Sequence, residues 1–215
     1  MGSIYYQGAH LFKIELPKQQ PLSLCVDGED MEGICQNFEN KLLYVLEERR
    51  REIVIFDTLG TEKGRFKVDV EKTNENDGLE GIAINPSENQ VFVVNKRFRS
   101  VLIELEITGK NSLRQTSQYI PVYFGADEDS SDWSLAGLSY DIDENVLWMT
   151  SDRTRAVFVI DHTGRALAVY DVFEEDLEAV AVIKQENRIY FVSDDYHTLY
   201  VYEYPEPFPR LNAEK

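Results

Sequence analysis

The stretch Gly78–Leu105, GLEGIAINPSENQVFVVNKRFRSVLIEL, decides the fold because its pattern recurs three more times along the chain. Aligned on Glu80, the other copies start at Glu32 (DMEGIC), Ala136 (SLAGLS) and Glu178 (DLEAVA), with no gap over the residues that follow. Fifteen positions on stand Glu47, Asn95, Ser151 and Ser193, and seventeen positions on stand Arg49, Arg97, Arg153 and Asp195. Twenty-one positions on, an apolar run begins in every copy, at Ile53, Val101, Val157 and Leu199. Four copies in one register define a repeat protein.

Within a copy, apolar–polar alternation and enrichment in β-branched and aromatic residues read as strands. In the first copy EGICQ (32–36) is a short inner strand, NFENK (37–41) a turn, LLYVLE (42–47) the second strand and EIVIFD (52–57) the third. Asn89, Asn145 and Asn187 share one turn position, where asparagine tolerates the positive φ of a tight hairpin. Outer strands follow in GRFKVDV (64–70), LRQTSQYIPVY (113–123) and ALAVYDV (166–172). Four antiparallel strands per unit, at offsets of 48, 56 and 42 residues, predict an all-β fold, a β-propeller of four-stranded blades. Full or nearly full blades are expected over 30–77, 78–133, 134–175 and 176–204 of one domain spanning 1–215. Residues 1–29 read as a partial blade, making about five in all, because AHLFKIEL (9–16) resembles the third strand HTLYVYEY (197–204) and PLSLCV (21–26) suits an outer strand. The tail 205–215 carries three prolines and is no central strand.

Composition narrows the function classes. The 215 residues include 39 acidic against 22 basic side chains, and a net charge of −17 repels nucleic acid and anionic membrane surfaces. A cation, a basic partner or plain solubility suits it. Cys25 and Cys35 form neither a disulfide framework nor a metal-site spacing, and two buried free thiols are expected, with a bridge between them as the alternative. The opening segment lacks a basic region followed by an apolar run, and no stretch in this chain is apolar for the ~18 residues a membrane span needs. His10, His162 and His197 fall on a strand, a turn and a strand edge, and no GxSxG, P-loop, HExxH or GxGxxG is present. Acid–base chemistry would fall to carboxylates, so metal-assisted hydrolysis is the enzyme class these residues support.

Blade geometry says where the carboxylates meet. The inner strand leaves one end of the central channel and the second strand returns to it. Glu32, Glu80 and Glu178 therefore share a mouth with the residues fifteen and sixteen positions on, Glu47 and Glu48, Asn95 and Lys96, Ser151 and Asp152, Ser193 and Asp194, of which Asn95, Asp152 and Asp194 stand beside the glutamates as oxygen donors. Gathered carboxylates repel unless a cation joins them or some take up protons. An oxygen-only set suits a hard ion, Ca²⁺ before Mg²⁺. A second reading stays open, in which Arg49, Arg97 and Arg153 pair with glutamates of adjacent blades and staple the ring without an ion. Ala136 breaks the glutamate column. The acids of the loop 121–134, Asp127, Glu128, Asp129 and Asp132, do not follow the EF-hand pattern and read as a solvated loop before a calcium loop.

The motifs DMEGI, GLEGIAINP, SLAGLSYD and DLEAVAV, each followed by a strand ending in a polar residue and a charged turn, resemble the SdiA-regulated family of bacterial propellers over residues 30–204. Ala179 departs from the usual glycine of the last motif. The resemblance implies five or six blades, a cell-envelope location and no settled enzymatic activity. A more distant similarity to phytase-like and gluconolactonase-like propellers implies a divalent ion on Glu32, Glu80 and Glu178, with Asn95, Asp152 and Asp194 second. The reading favoured is a non-enzymatic propeller that holds Ca²⁺ and presents its mouth to a small ligand or a protein, as a monomer or an edge-paired dimer. A metal-dependent hydrolase of an ester, lactone or phosphoester, and a purely structural scaffold, are the alternatives.

Overall fold

Each repeat carries two apolar faces, and burying both takes a neighbour on either side. The computed structural model describes residues 10–14, 21–25, 30–70, 78–96, 100–109, 111–119, 134–151, 155–172, 176–194 and 197–205, with side chains from Asp30 onward. Strands β3 (Met31–Asn37), β4 (Leu42–Glu47), β5 (Glu52–Asp57) and β6 (Glu62–Lys67) form blade 1. Strands β7 (Leu79–Asn85), β8 (Gln90–Asn95), β9 (Leu102–Gly109) and β10 (Ser112–Tyr119) form blade 2. Blade 3 is β11 (Leu135–Asp141), β12 (Val146–Ser151), β13 (Ala156–Ile160) and β14 (Ala166–Asp171); blade 4 has three strands, β15 (Leu177–Ile183), β16 (Arg188–Ser193) and β17 (Thr198–Glu203). All pairings are antiparallel between sequence neighbours, and the inner strands β3, β7, β11 and β15 pack side by side in that order. The fold is thus the expected propeller.

Ahead of the blades, β1 (His10–Ile14) and β2 (Pro21–Cys25) pair antiparallel as a sheet of their own. Among the described residues of the partial blade expected over 1–29 there is only this hairpin, which pairs with no other strand, so a fifth blade is not established. Cys35 is a free thiol packed at the blade 1–blade 2 core, and burial pushes its ionisation well up. The loop acids Asp127, Glu128, Asp129 and Asp132 and the tail beyond Pro205 lie outside the described residues.

Successive interfaces hold the core. Tyr44, Leu46 and Ile53 meet Leu79, Val91 and Val93 between blades 1 and 2. Phe92, Val94 and Leu102 meet Leu147, Met149 and Phe158 between blades 2 and 3, and Trp148 and Val159 meet Ile189 and Phe191 between blades 3 and 4. Each such side chain, fully buried, contributes about 1.5–3 kcal/mol. Tyr204, just past β17, donates its hydroxyl to buried Asp141 Oδ2 at 2.6 Å and so fastens blade 4 to blade 3. The opposite face of blade 4 is open: Val192, Leu199 and Val201 are 42%, 48% and 44% exposed, whereas Val157 and Val159, the blade 3 counterparts of Leu199 and Val201, are buried.

Inner strands approach one another at glycine. A Cβ on Gly33 would stand 2.4 Å from Glu80 O, one on Gly81 2.3 Å from Ala136 O, and one on Gly137 2.6 Å from Ala179 Cα. Ala179 occupies the fourth position of this column, and it is exposed. The family departure at Ala179 therefore falls where no described strand follows.

Candidate functional site at the channel mouth

Every inner strand bulges at its repeat residue. The register shifts between Met31 and Ile34, Leu79 and Gly81, Leu135 and Leu138, and Leu177 and Ala179. A bulge re-aims the side chain it carries. Opposite it, the residue after the second strand donates its N–H back across the blade: Glu48 to Asp30 O and Lys96 to Gly78 O at 3.0 Å, and Asp194 to Asp176 O at 3.3 Å. These bonds bring the sixteenth position of the repeat over the channel mouth.

Two groups of side chains result. In the first, Lys96 Nζ lies 3.9 Å from Glu80 Oε2 and 3.9 Å from Glu178 Oε1. Glu80 and Glu178 belong to blades 2 and 4, so their common distance from one ammonium shows that the glutamates converge. In the second, Asp30, Glu32 and Glu48 present carboxylate oxygens that all lie within 4.8 Å of one another. Glu48 reaches this position by crossing the backbone of Gly78 in the next blade, where a Cβ would stand 1.8 Å from its Cγ.

Burial first, and crowding of like charge after it, raise the carboxyls. Glu80, 8% exposed, is pushed up to about 8, by burial first; Lys96 opposes this, and Glu32, Glu48 and Glu178 add to it. Glu32 is open to solvent in the channel yet surrounded by protein, and it is pushed up to about 7 by desolvation, then by Glu48, Asp30 and Glu178. Glu48 is raised by burial, by the charge of Asp30 and by a hydrogen bond to it.

The other residues singled out from sequence have different places. Asn95 is buried and its Oδ1 accepts the N–H of Val101 at 2.7 Å, a bond within blade 2. Asp194 is 79% exposed and lies 3.8 Å from His197. Arg49 pairs with Asp30 of its own blade at 2.6 Å, its side chain 67% exposed. Asp152, Arg97 and Arg153 lie outside the described residues. Glu47, first in the column that holds Asn95, is buried and bonded to Arg65 of the outer strand. Sequence reasoning put Lys96 and Glu48 at the mouth level without weighing them, and it passed over Asp30. One signal for Asp30 was present: the position two before the repeat glutamate is acidic in blades 1 and 4, as Asp30 and Asp176.

Among the described residues no helix is long and apolar enough to cross a membrane. A solved structure described as the crystal structure of a nidogen/laminin complex is similar in fold, with a TM-score of 0.62, 14% sequence identity, and coverage of 91% of this chain and 68% of that one. At that identity the likeness concerns fold alone. No curated protein matches the chain. The family model described as SdiA-regulated matches residues 18–124 and 125–215, together nearly the whole sequence. With propeller blades, bulged inner strands and a repeat glutamate at the mouth already in place, that match makes the chain a member of the SdiA-regulated family.

Proposed function

We propose that this protein is a non-enzymatic binding propeller whose mouth takes a divalent cation, Ca²⁺ by its donor chemistry, and presents it to a small ligand or protein partner. The observation that carries the reading is the trio Asp30, Glu32 and Glu48. Its oxygens fall within 4.8 Å of one another, the span of two oxygens on opposite sides of an ion with bonds of about 2.4 Å. The set is oxygen-only, with neither imidazole nor thiolate, which suits a hard ion. Burial and neighbouring like charge raise Glu32 and Glu48, and a divalent ion beside them is a counter-charge that relieves such crowding. Glu80 and Glu178, placed around Lys96, stand as its neighbours. A cell-envelope location belongs to this proposal and is supported by family resemblance alone.

A thermal melt of chelator-treated protein, with and without millimolar Ca²⁺ and with Mg²⁺ as control, tests it. An ion present at one hundred times its Kd adds about 2.7 kcal/mol, or about 5–10 °C in Tm for a domain of this size. The rise is expected with Ca²⁺ and is lost in Glu32→Gln and Glu48→Gln. A Tm indifferent to Ca²⁺ and chelator rejects the reading. Contact with a second copy has its own support in the exposed Leu199 and Val201 of the edge strand β17 and Val192 of β16 beside it.

A further inference from the structure

We propose that Lys96 is the resident cation of the mouth: its tethered ammonium takes the place of an ion between Glu80 and Glu178, ties blade 2 to blade 4 across the axis, and thereby limits how many foreign cations the mouth accepts. The inference is independent of the trio. It rests on Nζ standing 3.9 Å from carboxylate oxygens of two non-adjacent blades.

The intervening blade supplies the room. Its repeat residue is Ala136, buried and without a charge, so the repeat-glutamate column itself has no carboxylate in blade 3. The lysine is anchored at its base by its N–H bond to Gly78 O, which directs a long side chain over the mouth instead of into solvent. An ammonium is a compact point charge with three donors, suited to a place between carboxylates from separate strands. It differs from a bound ion in being covalently attached. It cannot be chelated away, and it holds its place at any calcium concentration.

Lys96→Met keeps the aliphatic stem and removes the charge, leaving Glu80 and Glu178 without it. Bound Ca²⁺ per chain is counted by equilibrium dialysis at about pH 8.5, above the value to which Glu80 is pushed, for the intact chain, Lys96→Met, Lys96→Arg, and Lys96→Met combined with Glu80→Gln. The expected result is about one more ion in Lys96→Met than in the intact chain, no gain in Lys96→Arg, and loss of the gain when Glu80→Gln is added. In the absence of Ca²⁺, Lys96→Met melts several degrees below the intact chain and recovers when Ca²⁺ is supplied. An equal ion count in the intact chain and Lys96→Met overturns the proposal, as does a gain that survives Glu80→Gln. The trio is judged separately: if it binds nothing, the intact chain counts no ion and Lys96→Met still gains one. If Lys96→Met fails to fold in any buffer while Lys96→Arg folds, the charge is shown to be structural and the limit on ion number is overturned.

Discussion

Burial and neighbouring carboxylates raise Glu80 further than Glu32. The Glu80 carboxyl binds a proton more tightly in the folded chain, at about 8, than its ordinary value of 4.5. A group of this kind contributes stability that is fully present below the unfolded value and is lost as pH rises through the folded one. Glu32, raised to about 7, acts in the same direction. Tm of metal-free protein is therefore expected to fall between about pH 5 and pH 8, and Glu80→Gln to flatten that fall. Parallel pH profiles for the two proteins would show that the pH dependence sits elsewhere. Which residues meet at the mouth was half legible in the sequence. The repeat glutamates stand out by their period, whereas a lysine in an otherwise polar column looks like a solvated side chain. Only the bulges and the cross-blade N–H bonds put it between two carboxylates, and neither leaves a mark in composition.

At the scale of elements, strand period and turn chemistry made the blades readable: β4 and β5 coincide with the runs LLYVLE and EIVIFD. Asn89, Asn145 and Asn187 do take positive φ, and the fourth member of that column is Lys41 at φ 59°, which no residue preference betrays. The glycines give this scale its prediction. Gly81→Ala would set a Cβ 2.3 Å from a backbone oxygen of β11, an overlap that side-chain rotation cannot relieve. It is expected to cost on the order of 2–4 kcal/mol in urea unfolding, at the upper end of overpacking effects. Ala179→Gly changes no such contact and should cost only about 0.5–1 kcal/mol, through chain entropy in a strand. Equal costs for the two would mean that strand approach does not govern the column. The β1–β2 hairpin marks the other limit of legibility. Its strands were recognisable one by one, but their place relative to the blades depends on long-range packing that local pattern does not encode.

The whole molecule is asymmetric in its faces. Val45, Val54 and Phe56 on the first blade are buried on the side away from blade 2, while the far side of blade 4 shows Val192, Leu199 and Val201 to solvent. An edge strand with apolar side chains and no described partner invites association. Sedimentation velocity over a concentration series is expected to show self-association that Val201→Lys diminishes, with Tm held to within about a degree as for an ordinary surface change. Concentration-independent sedimentation of both proteins would rule the edge out. The glycine column has one more consequence, which is metrological. Each mouth glutamate hangs on the residue directly before a joint, and at Gly33, Gly81 and Gly137 the joint is gauged by a hydrogen atom where another residue would bring a methyl. Errors along an arc add, so an oversize spacer at each would displace Glu178 from Glu32 by the sum of three misfits. An aperture calibrated this finely has no slack to share among its joints, and the only place where the gauge is relaxed is the exposed one at Ala179.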